Sequence, residues 1–333
     1  MSRTIMLVTH PTRPEMPAMA REFAERLADH GITVETVPEV ERTHEVVRTG
    51  HRTAHKSPVP SHVDASDAEL VVIFGGDGTI LRGAEIARPA GTPLLGVNMG
   101  RVGFLAEAER EDIDSLVERI VARDYHVERR MTLEVDVVHE GVVVAHNWAL
   151  NEASVEKSAR ERMLEVAVEV DGRPLSSWGC DGVVISTPTG STAYAFSGGG
   201  PVVWPDVEAI LLVPISAHAL FARPLVLGPD TRLAVEVVPH SYVDGVMWCD
   251  GRRTVELPAG ARIEVRRSQL PVLLARLSDE PFTDRLVAKF ELPVTGWRGA
   301  VAQDPDAEDG DAAEGDDPHE SDARGGQAPG STR

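Results

Sequence analysis

The fold is decided by the stretch Leu70–Thr79, which reads LVVIFGGDGT. The apolar run Leu70–Phe74 ends in glycines and leads into Ile80–Ala87, where apolar residues recur with helical spacing. This order predicts a strand, a glycine loop and a helix. Glycines let a ligand approach the backbone closely, and the N–H groups at the start of a helix can hold phosphate. The sequence therefore predicts a phosphate site at Gly75–Thr79.

A carboxylate stands in the middle of this glycine loop. Asp77 would repel a phosphate group unless it binds a metal ion or takes a proton from a hydroxyl that accepts the phosphoryl group. The loop therefore indicates phosphotransfer, in which the protein brings phosphate and an acceptor together. The alternative is a tight turn with a solvated aspartate, and the loop alone leaves both interpretations open.

The residues on either side of the loop repeat the same order of elements. Short apolar runs predict strands, and apolar residues on one helical face predict helices. The predicted strands are Thr4–Thr9, Ile32–Val37 and Pro93–Asn98, and the predicted helices are Met16–His30 and Glu111–Arg123. This alternation is typical of an α/β layer with parallel strands, whose ligands lie beyond the carboxyl ends of the strands.

The pattern changes after Tyr125, where short Val-rich runs alternate with Gly, Pro and Asp turns and predict an all-β region. The predicted strands are Met131–Val138, Val142–Leu150, Met163–Val170, Asp181–Ser186, Leu225–Leu227, Arg232–Val238, Thr254–Leu257, Ala261–Arg266 and Val272–Leu277. A last helix is predicted at Glu280–Glu291. It comes too late in the chain to begin a new domain, so we expect it to return to the first one.

The composition excludes two classes of partner. A formal charge of −20 argues against nucleic acid, because duplex binding depends on basic neutralisation of phosphates. The chain has 333 residues, enough for two domains, and 42% of them are hydrophobic, enough to build their cores. Because no apolar run approaches the roughly 20 residues of a membrane span, we expect a soluble protein without a membrane partner.

Two segments show no motif. The tail Gln303–Arg333 holds ten acidic residues and two arginines, which is −8 of the −20, and it lacks aromatic and large aliphatic residues. This composition predicts a disordered, solvated tail. The polar segment Glu41–Asp67 predicts a long surface loop, although its basic residues could also meet phosphate.

Two observations bear on the cellular compartment. The N-terminus runs directly into a strand pattern without the charged and apolar regions of a signal peptide, which predicts a cytoplasmic protein. Cys180 and Cys249 are too few for a disulfide framework and lack metal-ligand spacing. We expect both thiols to be reduced and to lie in or near a core.

A second polar segment follows the predicted strand Asp181–Ser186. The residues Thr187–Tyr194 and Ser197–Pro201 combine hydroxyls, glycines and small side chains with one tyrosine. Small residues leave room for a flat ligand, hydroxyls and backbone N–H groups give directional contacts, and Tyr194 offers a ring face. A turn-rich connection is the alternative interpretation.

Two shorter segments are weaker signals. The pair Asn151-Glu152 follows a predicted strand and offers donors and acceptors suited to an adenine edge and a ribose diol, although such a pair is often only a turn. The segment Pro214–Pro224 contains His218 and Arg223. Arg223 could hold a phosphate or form a structural ion pair.

Taken together, these segments resemble the NAD kinase family, whose members phosphorylate the 2′-hydroxyl of the adenosine ribose of NAD to make NADP. The resemblance covers Thr4 to Arg298 and depends on five segments in the family's order. They are Gly75–Thr79, Asn98–Leu105, Asn151-Glu152, Asp181–Pro201 and Pro214–Pro224.

The resemblance implies roles for individual residues. It implies that Asp77 is the catalytic base and that the loop residues Gly75, Gly76, Gly78 and Thr79 bind the phosphate donor. It also implies an NAD-binding set, consisting of Asn151, Glu152, Asp181, Thr189, Thr192, Ala193, Tyr194 and Ser197. Which of these contacts adenine and which contacts the nicotinamide half stays open.

The resemblance further implies the architecture and the partners. We expect a Rossmann-like domain over residues 1–125, completed by 278–300, and a β-sandwich-like NAD-binding domain over 126–277, whereas the disordered acidic tail over 303–333 is expected from its composition alone. The expected ligands are NAD, ATP or polyphosphate as donor, and a divalent metal ion such as Mg²⁺ at a site that the sequence does not locate. A homo-oligomer, dimer or tetramer, is expected as well.

Two other functions remain open on the sequence alone. A lipid or sugar kinase could carry the same glycine loop, although the acidic balance and the absence of a basic amphipathic helix argue against a membrane substrate. A non-catalytic NAD sensor could have kept the pocket. No residue decides between ATP and polyphosphate, because both present a chain of phosphates to a glycine loop.

Overall fold

The first part of the chain forms an α/β layer around the buried strand that ends in the glycine loop. The computed structural model describes residues 3–10, 16–37, 63–98, 103–109, 113–160 and 162–294. The elements up to residue 130 are β1 (Arg3–Thr9), α1 (Met16–Asp29), β2 (Ile32–Thr36), β3 (Leu70–Phe74), α2 (Asp77–Ala90), β4 (Leu94–Asn98), β5 (Ala106–Glu109), α3 (Ile113–Ala122) and β6 (His126–Arg130).

β3 lies in the middle of this layer. It pairs in parallel with β1 on one side and β4 on the other, and all five of its residues are buried. One face packs on α1, where Phe23 meets Phe74 edge to face with ring centroids 5.1 Å apart. The other face packs on α2, because Ile73 and Ile80 share a second core cluster. The predicted parallel α/β layer is therefore confirmed.

The rest of the chain up to residue 276 is almost entirely β-structure. Its strands are β7 (Leu133–His139), β8 (Val142–Ala149), β9 (Glu152–Lys157), β10 (Leu164–Val170), β11 (Arg173–Cys180), β12 (Gly182–Ser186), β13 (Ile210–Ile215), β14 (Leu225–Leu227), β15 (Leu233–Val237), β16 (Gly245–Cys249), β17 (Arg253–Leu257), β18 (Arg262–Arg267) and β19 (Val272–Arg276). Two short helical turns, Thr189–Thr192 and α4 (Tyr194–Ser197), interrupt them.

Twelve of these strands form two six-stranded sheets, in the orders β11-β10-β15-β18-β7-β8 and β14-β13-β12-β9-β16-β17. Their pairings are antiparallel, and one core lies between the sheets, with Trp178 from the first and Met247 from the second. This is the arrangement of a β-sandwich, and the predicted all-β region is confirmed.

β19 is placed differently from the expectation. The sequence puts the run Val272–Leu277 in the β-rich region, whereas β19 pairs with β4 and β6 in the first sheet, whose order is β2-β1-β3-β4-β19-β6. A short apolar run carries no mark of its partner, because pairing is decided by tertiary contacts. β6 was not predicted either, since its residues His126–Arg130 are mostly charged.

The last described helix, α5 (Phe282–Phe290), returns to the first layer as expected and also contacts the β-rich region. Phe282 lies 5.8 Å from Phe104 and 5.2 Å from Trp204 between ring centroids, and Phe290 lies 4.6 Å from Phe196. Residues Met1–Leu292 form one compact unit, and the division at residue 125 stays a prediction. No helix in the described part of the chain has the length and apolar character that crossing a membrane requires.

Candidate functional site

The glycine loop joins the end of β3 to the start of α2. Gly75 N–H donates to Val97 O (3.0 Å), which holds the loop at the carboxyl ends of β3 and β4. Gly76 is the N-cap with extended backbone and no side-chain cap, so Asp77 begins the helix. The loop therefore presents backbone N–H groups of a helix N-terminus, a favourable place for an anion.

Two kinds of glycine occur in this loop. A Cβ on Gly75 would lie 2.4 Å from the Thr79 Oγ1 atom, so glycine is needed there for packing. Gly76 and Gly78 have no atom within 4 Å of an added Cβ. Their faces are open, as a loop that receives a ligand requires.

The carboxylate of Asp77 lies against the segment that follows β4. Leu105 N–H donates to Asp77 Oδ1 over 3.4 Å. A Cβ on Gly103 would lie 2.5 Å from the same oxygen. The backbone of residues 103–105 therefore sets the direction of the carboxylate, which stays partly accessible. Residues 99–102 of the Asn98–Leu105 motif lie outside the described residues.

A second group of expected site residues lies where β8 ends and β9 begins. Asn151 and Glu152 are each 8% exposed. The backbone of Asn151 is held on both sides: its N–H donates to Asp250 Oδ1 (2.7 Å), and its carbonyl accepts from Ser186 Oγ (3.0 Å). These bonds fix the backbone from which both side chains extend.

Glu152 has an unusual protonation state. Burial, with the charge of Asp250 as a further cause, raises the pKa of Glu152 to about 8, although the Tyr194 backbone N–H donates to the group and lowers it. The Glu152 Oε2 atom is buried and has no hydrogen-bond partner among the described atoms. At neutral pH this side chain is a neutral carboxylic acid that can both donate and accept a hydrogen bond.

The segment after β12 is fastened to the same backbone. Thr187 Oγ1 donates to Leu150 O (2.5 Å) and accepts from Gly190 N–H (3.1 Å). A Cβ on Gly190 would lie 2.1 Å from Asn151 O, so only glycine allows this approach. The turn Thr189–Thr192, which includes Thr189 and Thr192, is thereby placed beside Asn151 and Glu152.

Tyr194 connects this turn with Asp181. Burial raises the pKa of Tyr194, and the nearby charges of Glu156, Glu152 and Asp181 raise it further. The carboxylate of Asp181 pairs with Lys157 Nζ at 2.5 Å, and that bond lowers its pKa. The structure therefore brings Asn151, Glu152, Asp181, Thr189 and Tyr194 to one region at the second sheet of the sandwich.

The remaining members of the expected NAD-binding set differ in exposure. Thr192 and Ala193 are partly buried, and Ser197 at the end of α4 is exposed. The segment Pro214–Pro224 is mostly exposed, with His218 N–H bonded to Gly179 O (2.9 Å). Arg223 is exposed in it and makes no contribution to the group described above.

Sequence reasoning missed the residues that join the two groups. Asp250 accepts from the N–H groups of Leu150 (3.0 Å) and Asn151 and from Arg253 Nη2 (2.7 Å). Arg253 also lies 3.4 Å from the Glu85 carboxylate of α2, the helix that begins with Asp77. The sequence predicts only a turn at Asp250-Gly251, and the pair does adopt positive φ there. No local sequence pattern predicts a contact such as that between Arg253 and Glu85, which are more than 150 residues apart.

Trp148 completes this connection. The guanidinium groups of Arg88 and Arg253 each lie 4.4 Å from the centroid of its ring. Trp148 and the neighbouring Leu150 pack on the core cluster that contains Ile80 of α2. The helix that carries Asp77 and the strand that leads to Asn151 therefore share one core and one chain of ion pairs.

Neither cysteine is part of the site. Cys180 and Cys249 are buried and form no disulfide. Burial raises the pKa of each thiol to about 12, which makes them unreactive at neutral pH. Within the described ranges, no three His, Cys, Asp or Glu side chains come together as a metal-binding group.

Family models cover both parts of the chain. The ATP-NAD kinase N-terminal domain matches residues 5–125, and the ATP-NAD kinase C-terminal domain matches residues 150–277. Curated proteins are similar over most of the length. NAD kinase of Thermobifida fusca (strain YX) is 58% identical over 308 residues, covering 91% of this chain and 93% of the relative. NAD kinase 2 of Streptomyces coelicolor is 58% identical over 298 residues, covering 90% and 97%.

Solved structures share the fold. Yeast NADH kinase complexed with NADH superposes with a TM-score of 0.75 at 21% identity, covering 88% of this chain and 89% of that one. An NAD kinase from Archaeoglobus fulgidus in complex with ATP gives a TM-score of 0.65 at 26% identity, covering 86% and 98%. The combination of an α/β layer and a β-sandwich is thus found in both of these solved structures.

Proposed function

The chain belongs to the NAD kinase family, and on that premise we propose that Asp77 and the Asn151–Ser197 region carry out its reaction. An NAD kinase transfers a phosphoryl group to the 2′-hydroxyl of the adenosine ribose of NAD and gives NADP. A lipid or sugar kinase with the same loop is set aside, because both family models match in order. The same match sets aside a non-catalytic sensor.

The observation that supports the role of Asp77 is its position. The carboxylate begins α2, beside open glycine faces, and the 103–105 backbone directs one of its oxygens. Phosphoryl transfer requires mainly positioning and electrostatic stabilisation from the protein. A hydroxyl is a poor nucleophile at neutral pH, so a carboxylate within hydrogen-bond reach that accepts its proton accelerates the step by about 10²- to 10⁴-fold. Asp77 would hold that proton while Gly75, Gly76, Gly78 and Thr79 hold the donor phosphate.

The support for the NAD-binding set is the buried polar region around Glu152. Its unpartnered Oε2 atom and protonated state suit a ligand that offers both a hydroxyl and an acceptor. Asn151 can read an adenine edge, and the Tyr194 ring can cover a flat group. Thr189, Thr192, Ala193, Ser197 and Asp181 would complete the set.

A divalent metal ion is part of this proposal. Mg²⁺ usually binds through one or two carboxylates together with substrate phosphates, so a single aspartate in a glycine loop fits it without a preformed cage. The donor phosphates would hold most of the ion's coordination sites, since Asp77 is assigned to the proton, and the ion would supply charge neutralisation on the donor. ATP, polyphosphate or both are the proposed donors.

The test is an NADP assay. The protein is incubated with NAD, Mg²⁺ and either ATP or polyphosphate, and NADP is measured with an NADP-specific dehydrogenase. NADP from at least one donor is expected, and the donor that gives it is thereby identified. Absence of NADP with both donors would contradict the proposal. Omitting Mg²⁺ and adding a chelator should abolish product if the metal is required.

A homo-oligomer and a cytoplasmic location complete the proposal. The segment Pro214–Pro224 exposes two large apolar side chains, Leu220 at 111% and Phe221 at 49% of their reference areas, as an interface between copies would. Light scattering on the purified protein should give a dimer or tetramer mass. A monomer mass at working concentration would refute the oligomer, and cell fractionation tests the location.

A further inference from the structure

A cavity lies outside the two groups of expected site residues. It has a volume of about 600 Å³ and lies between β6, β19, residues 204–206 and the first turn of α5. Trp204 and Phe282 form an aromatic wall, with ring centroids 5.2 Å apart. None of the expected site residues lines it.

Three buried arginines form the floor of this cavity. Arg130, Arg276 and Arg285 are 6%, 3% and 8% exposed. Arginine is almost never buried to this degree without strong partners. Arg130 Nη2 and Arg276 Nε donate to the same Glu128 Oε2 atom, over 2.6 Å and 2.9 Å. Two cations thus share one carboxylate oxygen.

The arginines also act on one another. Burial and the charge of Arg285 lower the pKa of Arg276 to about 9. Burial lowers the pKa of Arg130, and Arg285 again contributes to the lowering. The charges of Glu128, Asp206 and Glu280 offset part of the repulsion between the arginines, and an anion bound among the three groups would relieve it further.

Four acidic residues line the cavity, namely Glu128, which pairs with the floor arginines, and Asp206, Asp279 and Glu280. Asp206 and Asp279 are exposed, and the Asp279 side chain is 99% accessible. Water screens such charges strongly, whereas the buried arginines face the interior. The first turn of α5 faces the same space and adds a helix N-terminus to it.

The cavity is a close neighbour of Asp77. Leu105 N–H bonds to Asp77 Oδ1 at 3.4 Å, and the adjacent Ala106 accepts from Arg285 Nη1 through its carbonyl at 2.8 Å. Standard backbone dimensions then limit the separation of Asp77 Oδ1 and Arg285 Nη1 to about 13 Å. A chain of a few phosphate groups can cover such a distance.

We propose that the cavity over Arg130, Arg276 and Arg285 binds the phosphate chain of the donor, behind the phosphate that is transferred at Asp77. The inference depends on the proposed function of the Asp77 loop. Guanidinium groups suit it because their planar donors match phosphate oxygens and stay charged near neutral pH. The ligand chemistry is a linear chain of phosphates, from a nucleotide or from inorganic polyphosphate.

The test compares donor and acceptor kinetics in matched variants. Arg130→Gln and Arg276→Gln remove a charge from the floor, whereas the control Arg266→Gln removes one from a pair with Glu134 and Asp136 outside the cavity. The KM for the donor should rise about 10- to 100-fold in the floor variants, because a charge-assisted hydrogen bond is lost. The KM for NAD should stay within about twofold.

Two further measurements distinguish loss of donor binding from a structural defect. Arg130→Lys should recover part of the donor affinity, which a purely structural defect would not show. Tripolyphosphate should compete with the donor in the wild type and in Arg266→Gln, and about tenfold more weakly in Arg130→Gln. If the substitutions raise the KM for only one of the two donors, ATP or polyphosphate, that donor supplies the phosphate chain that the cavity binds. An unchanged donor KM, or inhibition that is not competitive with the donor, would overturn the proposal.

The experiments distinguish a wrong assignment of the cavity from a wrong assignment of the activity. A wild type that makes NADP, with floor variants of unchanged donor KM, refutes only the cavity. A wild type that makes no NADP from either donor refutes the proposed donors. In that case, calorimetric titration of tripolyphosphate into the wild type and Arg130→Gln still decides whether the cavity binds it.

Discussion

The glycine loop and the Glu152 region, to which we assign complementary tasks, are built in opposite ways. The loop is five consecutive residues, and its geometry follows from a strand that ends where a helix begins. The Glu152 region gathers residues from about 150 to 250, and side chains such as Asp250 and Arg253 hold them in place. The loop depends on local backbone geometry, whereas the Glu152 region depends on buried polar partners. Substitutions in the two regions should therefore affect different properties of the protein.

The largest expected effect is chemical and falls on the loop. Asp77→Asn keeps the size of the side chain but removes the proton acceptor, so the rate of NADP formation should fall about 10²- to 10⁴-fold. Affinity for NAD, measured by calorimetry, should change little. If the variant retains near wild-type turnover, Asp77 is not the base.

The next effect is structural and falls on the Glu152 region. Arg253→Met leaves the buried Asp250 carboxylate without its cation, and unfolding free energy should fall by about 3–5 kcal/mol. Arg252→Met is the matched neighbour, since Glu85 then keeps its contact with Arg253. Urea unfolding of both variants tests this. If both variants lose the same unfolding free energy, the ion pair between Arg253 and Asp250 contributes no more to stability than the contact made by Arg252.

A third test uses the protonation of Glu152. Its pKa of about 8 in the folded protein exceeds the usual 4.5, so the folded state binds an extra proton between these values. Stability contributed by this group is therefore full below pH 4.5 and is lost as pH rises to 8. Glu152→Gln should be more stable at pH 7 by on the order of 3 kcal/mol.

The same substitution separates stability from binding. Glutamine keeps one donor and one acceptor, so the KM for NAD at pH 7 should change less than about tenfold. The wild type should lose NAD affinity above pH 8, and the variant should not. If NAD affinity depends on pH in the same way in both proteins, Glu152 does not bind NAD in its protonated form.

The smallest effect concerns a close approach of backbones. Gly190→Ala places a methyl group 2.1 Å from Asn151 O, and the turn Thr189–Thr192 must move to remove this clash. Such overpacking costs about 1–3 kcal/mol and should raise the KM for NAD. Gly179→Ala is the control, because its methyl group would make ordinary contact at 3.5 Å with Met163. Identical thermal shifts in the two variants would contradict this interpretation.

The sequence predicted the contiguous parts of the molecule well. The order apolar run, glycines, helix at Leu70–Ala87 is local, and the structure contains each element there. The Val-rich runs also marked most strands of the sandwich. Several strands were missed, among them β9, where Glu152, Ser154 and Glu156 interrupt the apolar pattern, and β16, an apolar run of only five residues next to the Asp250-Gly251 turn.

Other features could not be predicted for a physical reason. The bonds from Asp250 to Leu150 and Asn151 join residues about 100 positions apart, and no local pattern encodes such a pair. The same holds for β19, whose partner strands are chosen by the assembled core. The tail Gln303–Arg333, most of the loop Glu41–Asp67 and part of the Asn98–Leu105 motif lie outside the described residues, so those expectations stay predictions.

The place of β19 has a consequence for how the protein is made. This strand lies between β4 and β6 in the first sheet but follows the whole sandwich in the chain. A nascent chain that has not yet emerged from the ribosome beyond residue 271 leaves the start of β4 unpaired, an edge prone to wrong pairing. Most of the chain must therefore be synthesised before the first sheet can close, and a truncation before Val272 would remove the strand that joins β4 to β6.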